Sequence, residues 1–169
     1  MKLTKFTHAC VRIEKDGKVL LVDPGSFSED AAFELADLGD RVNVVAGGQS
    51  FEAAGFRVNA YGKDHAVILP ELGVPCENIG FLIEDAVYHP GDSFTQPDRA
   101  VHTNLVPISG PWFALPPAVD YARAIKSEQL VGIHDALLSQ LGLGMMGRFL
   151  NSDERPYHGL APGDTLEIN

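Results

Sequence analysis

The run Val19-Leu20-Leu21-Val22, stopped at once by Asp23-Pro24-Gly25, constrains this chain more than any other stretch. Four consecutive apolar residues read as a strand buried on both faces. They are followed by a proline that cannot join a ladder and a glycine that permits a sharp turn. Upstream, Val11 and Ile13 alternate with Arg12 and Glu14, and Asp16-Gly17 supplies the positive-φ turn of a tight hairpin. The first 23 residues therefore read as two or three strands, with Asp23 at a strand's C-terminal end.

The period then changes. From Ser28 to Leu38, Ala32, Leu35 and Ala36 recur at helical spacing behind a Ser-Glu-Asp start and ahead of Gly39, which predicts a short helix. Strands follow at Val42 to Val45, Phe56 to Tyr61, Ile79 to Ile83 and Ala86 to His89, the last two joined across Glu84-Asp85. In the last third, Leu105 to Ile108 and Leu130 to Ile133 read as buried strands. Pro116-Pro117 opens a helix through Ile125, a second helix covers part of Ala136 to Leu150, and Thr165 to Ile168 closes as an edge strand. No linker, repeat or low-complexity tract divides this order, and 169 residues suit one core. The expectation is a single layered α/β (α+β) domain spanning residues 1–169.

Charge and cysteine content narrow the function. Thirteen Lys and Arg against 23 Asp and Glu give a formal charge of -10, which repels phosphate backbones and anionic membrane surfaces; neither nucleic acid nor membrane is an expected partner. No stretch approaches the roughly 18 apolar residues of a membrane span, and Met1-Lys2-Leu3-Thr4-Lys5 leads into a strand rather than an export signal. Cys10 and Cys76 alone cannot build a disulfide framework or a thiolate zinc cluster, which fits a reducing cytoplasm.

Candidate chemistry lies at strand ends. The 6 histidines are too far apart for any local His-x-His or His-Glu-x-x-His motif, so a metal site has to be assembled from distant turns. His65, Asp92 and His134 each lie just beyond a predicted strand, where rigid β-scaffolds present functional groups. Two imidazoles and a carboxylate suit Zn²⁺ and other first-row divalent metals. Each also has a plainer reading: a hydrogen-bonded structural histidine, or an aspartate closing an Asx-turn. Trp112 reads as a ligand-contacting aromatic or as packing. Gly142-Leu143-Gly144-Met145-Met146-Gly147 spells the dinucleotide fingerprint, but it follows a helical stretch and lacks its βαβ unit, so the match is accidental.

The ordered set resembles the metallo-β-lactamase-fold hydrolases, and within them the small ascorbate-lactonase-like branch. The resembling residues are Thr7-His8-Ala9-Cys10, Val19 to Gly25, Asp64-His65-Ala66, Asn78-Ile79-Gly80-Phe81, Val87 to Ser93, Val106-Pro107-Ile108 and Ile133-His134-Asp135. The resemblance implies an αββα sandwich with the site along one edge of its two sheets. It implies His65 as a ligand of a first metal, Asp92 as the bridging carboxylate and His134 as a ligand of a second. His8, Asp23, His89 and Asp135 are replacement ligands or outer partners of such a site.

The family's His-x-His-x-Asp-His loop is not in this sequence. After Asp23-Pro24-Gly25 the chain passes to Phe33-Glu34-Leu35-Ala36, which looks like the tail of the helix beyond that loop. The expected fold is thus truncated by a strand-loop-helix unit in its N-terminal half, on the order of 30 residues. Two readings follow. One is a metal-dependent hydrolase with one Zn²⁺ or Mn²⁺ on His65, Asp92 and His134, acting weakly if at all on a small-molecule substrate. The other is a non-catalytic binding or self-assembly module on the same scaffold. A deletion of that kind uncovers apolar surface and a sheet edge, which predicts a homo-oligomer.

Overall fold

A computed structural model describes residues 1–24 and 43–168. The alternation read around Asp16-Gly17 makes the expected hairpin, β2 (Val11–Lys15) and β3 (Lys18–Val22), with Val11 opposite Val22 and Ile13 opposite Leu20. Asp16 and Gly17 take φ of 50° and 74°, as a tight hairpin turn requires. Strand β1 (Lys2–Lys5) lies on the other side of β2, and the C-terminal strand β11 (Thr165–Glu167) pairs with β1, giving an antiparallel sheet of order β11-β1-β2-β3.

The second sheet has seven strands in the order β10-β9-β8-β7-β6-β5-β4. They are β4 (Ser50–Ala53), β5 (Phe56–Tyr61), β6 (Gly80–Ile83), β7 (Val87–His89), β8 (Val101–Pro107), β9 (Ser127–Ile133) and β10 (Tyr157–His158). From β4 to β7 the neighbours are antiparallel, and from β7 to β10 they are parallel. Because β5 and β7 both run against β6, the C-terminal ends of β5, β7, β8 and β9 all reach the same edge.

Period-two patterning places the core between the sheets. Leu3, Val11 and Ile13 of the first sheet pack with Phe56, Val58, Ile83, Val87, Leu105, Val131 and Ile133 of the second. The opposite face of the larger sheet, with Leu82, Tyr88, Val106 and Leu130, is covered by two helices. Helix α1 (Leu115–Ala124) has prolines in its first turn and buries Ala118, Tyr121 and Ala122. Helix α2 (Gln140–Leu150) is capped by Ser139, whose hydroxyl accepts from the Gly142 amide, and buries Met146 and Leu150.

Several expectations need correction. Among the described residues β3 is an edge strand; Val19, opposite Glu14, is 45% exposed, so the apolar run is not buried on both faces. An unbroken run reports hydrophobicity and not the strand's place in the sheet. Residues 43–45 are irregular rather than part of a strand, while Val42 and the helix expected from Ser28 to Leu38 lie outside the described residues. The described residues therefore supply a ββα arrangement of the expected sandwich. The glycines of the dinucleotide-like string sit inside α2, so they form no phosphate loop. No helix among the described residues is long and apolar enough to cross a membrane.

Candidate functional site

Strand polarity brings the sequence's candidates together. His65 follows β5, Asp92 follows β7, Ser109 and Trp112 follow β8, and His134 follows β9, all at one edge of the larger sheet. The smaller sheet contributes His8, from the β1–β2 loop, and Asp23, just past β3; antiparallel pairing of β2 with β3 puts both at one end of that sheet.

The backbone here is unusual. His8, Asp23 and His134 have φ of 63°, 54° and 58°, a region that non-glycine residues enter only when their surroundings hold them. For His134 the restraints are visible. Its amide donates to the His8 carbonyl at 3.1 Å, and its own carbonyl accepts from the buried Ser109 hydroxyl. His8 and His134 are thus joined through their backbones across the two sheets.

The Asp92 loop is held from three sides. The Asn78 amide nitrogen donates to the Pro90 carbonyl at 2.9 Å and to Ser93 Oγ at 3.1 Å, while its oxygen accepts from the Asp92 amide at 2.8 Å. Gly91 makes this possible: its φ is 66°, and a Cβ there would stand 2.2 Å from Asn78 Oδ1. The Ala66 amide, beside His65, donates to the Asp92 carbonyl at 2.9 Å. His89 is 1% exposed, with Nε2 donating to the Ala9 carbonyl at 2.9 Å and Nδ1 accepting from the Gly91 amide at 3.1 Å. With both nitrogens engaged, His89 supports the loop and has no lone pair for a ligand role.

Side chains converge on Asp92 Oδ1. His65 Nε2 is 3.8 Å from it, His134 Nδ1 is 3.4 Å away, and Trp112 Nε1 donates to it at 3.2 Å. His65 donates from Nδ1 to the Ala66 carbonyl at 2.6 Å, which leaves the Nε2 lone pair facing the carboxylate. His8 Nε2 stands 3.0 Å from His134 Nδ1, the rings meeting edge to face at 4.5 Å. Trp112 packs edge-on against His65 and Phe94 and is half-buried. Asp135 turns away to Lys5, 3.1 Å from its Nζ.

Burial pulls the pKa of His134 down to about 4, against the opposing pull of Asp92 and with help from His8 and His89, so the ring is neutral at pH 7. Burial lowers His8 as well, opposed by Asp92, Asp23 and Asp135. His134 is 3% exposed, and its Nε2 has no hydrogen-bond partner among the described residues. A buried orphan of this kind costs about 1–3 kcal/mol. As the side chains stand, no three His, Cys, Asp or Glu among the described residues are grouped as metal ligands. Asn78 entered the sequence reading only within the resembling stretch Asn78-Ile79-Gly80-Phe81, with no role given to it, and Ser109 was not singled out.

Two stacked sheets carrying a histidine–carboxylate cluster on the loops at one edge define the architecture of a metallo-β-lactamase-like protein. Residues 28–134 match the family model described as a beta-lactamase superfamily domain. Protein Rv0786c of Mycobacterium tuberculosis is 31% identical over 183 aligned positions, which take in 82% of this chain and 86% of that protein. Those positions outnumber the 169 residues here, so the relative has residues where this chain has none. Among solved structures, Igni18, described as a novel metallo hydrolase of the archaeon Ignicoccus hospitalis, superposes with a TM-score of 0.67 at 17% identity, covering 98% of this chain and 97% of its own. A Thermotoga maritima protein described as a Zn-dependent hydrolase of the metallo-beta-lactamase superfamily gives 0.60 at 16%, with 92% and 96% covered. The chain belongs to the metallo-β-lactamase superfamily.

Proposed function

We propose that this protein is hydrolase-like with an incomplete metal site: it holds one divalent cation, Zn²⁺ or Mn²⁺, through His65, Asp92 and His134, and acts weakly or not at all on a small-molecule substrate. The reading rests on the approach of two imidazole nitrogens, at 3.8 and 3.4 Å, to one oxygen of Asp92. Separations of this size are near the edge of about 3.3 Å that tetrahedral Zn–N bonds of 2.0–2.1 Å imply. Two imidazoles and a carboxylate are donors that such an ion accepts, while as they stand no three such side chains among the described residues are grouped to hold it. When bound, the ion would lower the pKa of a coordinated water and polarise a substrate oxygen.

The chain's own residues do the positioning. Asn78 fixes the Asp92 backbone, and the Trp112 N–H steers one carboxylate oxygen. The Ala66 carbonyl keeps the His65 proton on Nδ1. Weak turnover follows from the absent His-x-His-x-Asp-His motif, since fold alone does not supply catalysis. That same absence, with the unmatched stretch of the M. tuberculosis relative, favours the second reading, a non-catalytic binding or self-assembly module.

Metal content after purification without chelator tests the first reading. We expect up to one equivalent of Zn or Mn in the wild type and its loss in His134→Ala. A wild type with no metal, even after dialysis against Zn²⁺, leaves the binding-module reading in place. A homo-oligomer and a cytoplasmic location complete the proposal, the latter because Cys10 and Cys76 are not joined in a disulfide.

A further inference from the structure

We infer that a pocket between the C-terminal ends of α1 and α2 binds a small organic monocarboxylate, gripped by Arg123 and Arg155. The pocket lies at the edge of the larger sheet opposite His65, Asp92 and His134. It needs no metal and goes beyond the reading above.

The course of the chain brings the two arginines together. Helix α1 ends at Ala124, just before β9 begins at Ser127, and the Val101 amide at the start of β8 donates to the Lys126 carbonyl at 2.9 Å. Leu150, the last residue of α2, shares the pocket with Ala122 and Arg123 of α1. The chain then turns back, and the backbones of Ser152 and Arg155 exchange hydrogen bonds of 3.2 Å in both directions. Two more bonds pin this turn. The Tyr157 amide donates to Asn151 Oδ1 at 2.9 Å, and the Leu130 amide of β9 donates to the Pro156 carbonyl at 2.9 Å. Arg155 is thus presented by a turn that is fastened at both ends.

Arg123 and Arg155 line a cavity of about 270 Å³, with Val119 and Leu150 on its apolar side and Glu154 also in its wall. That volume suits a ligand smaller than a drug-sized molecule. Arg155 Nη1 donates to the Ile125 carbonyl at 3.3 Å, and a cation at the end of α1 accounts for part of its placement. The remainder is uncompensated. No ion pair among the described residues takes up either guanidinium, and Arg155 Nε has no hydrogen-bond partner among them. Burial holds Arg155 below its ordinary range, and the charge on Arg123 adds to this against the opposing pull of Glu154. A carboxylate between the two guanidiniums offsets their repulsion and matches their planar forks. Glu154 repels a second negative charge, which selects a monoanion over a phosphate dianion, while Val119 and Leu150 receive the apolar body. In a chain of formal charge -10, whose overall field repels anions, the pair supplies a local attraction.

Titration calorimetry on the full chain tests this with benzoate as the probe, benzamide as its uncharged counterpart and inorganic phosphate as the dianion. We expect one benzoate per chain, with benzamide and phosphate at least about 10-fold weaker. Arg123 is exposed, so Arg123→Gln should fold normally by circular dichroism and bind benzoate at least about 10-fold more weakly. Arg155→Lys keeps the charge without the fork and should fall between the two. Unchanged benzoate affinity in Arg123→Gln overturns the inference, as does a wild type that binds no benzoate. Benzamide or phosphate binding as tightly as benzoate overturns it too. Repeating the wild-type titration with a chelator should change nothing; benzoate binding lost there belongs to a metal and also overturns the inference. Benzoate binding by a protein without metal leaves the inference standing when the single-ion reading has failed.

Discussion

Lys5 is completely buried in β1, and its ammonium is satisfied by the Phe6 carbonyl at 2.6 Å and Asp135 Oδ1 at 3.1 Å. Burial lowers its pKa from the ordinary 10.5, and Asp135 only partly offsets this. The folded state thus carries a penalty for the charge at neutral pH, and releases the proton earlier than the unfolded chain does. Stability contributed at Lys5 therefore rises as pH climbs through the lowered folded value towards 10.5. Lys5→Met strands Asp135, which is 17% exposed and partly hydrated; we expect a loss of about 1–3 kcal/mol at pH 7 in urea unfolding. Adding Asp135→Asn to that variant should restore most of it, since no unpaired charge then remains. None of this was legible in the sequence, where Asp135 read as a reserve ligand. A charge at the end of a strand carries no mark of a partner 130 positions away.

Among the elements, the loop after β7 shows best how local order feeds the site. Gly91→Ala puts a Cβ into Asn78 Oδ1 and forces a side chain onto a φ of 66°. We expect a loss of about 2–4 kcal/mol, read as a lower urea midpoint, because the clamp on the Asp92 amide is lost with it. Strand identities were largely readable: the Asp16-Gly17 hairpin, β5, β6, β7, β8, β9 and both described helices fall where periodicity and turn residues put them. What escaped has physical reasons. Strand β4, Ser50–Ala53, alternates but holds one large apolar side chain, Phe51, and β10 is two residues long. The edge position of β3 among the described residues depends on sheet order, which no local pattern reports. His65, Asp92 and His134 were legible as strand-end residues, whereas the approach of His8 depends on how one sheet sits on the other.

For the whole molecule, a net charge of -10 and an apolar helix face pull in opposite directions. Helix α2 turns Leu141, Met145 and Phe149 outward at four-residue spacing, at 77%, 46% and 50% exposure, and has no acidic residue of its own. That face suits a second copy better than the acidic remainder does. Light scattering should show an oligomer that strengthens with added salt as the like charges are screened, and Met145→Glu should shift it towards monomer without loss of helix. A monomer at every concentration would count against self-association. Finally, the bond between the His134 amide and the His8 carbonyl closes a loop of most of the chain. Contacts of such long sequence separation form late, after the local hairpins have paid their entropy. Whatever fastens these two loops thus acts on a structure already folded: it slows unfolding and hardly hastens folding, so its strength would be written in the protein's lifetime against proteases.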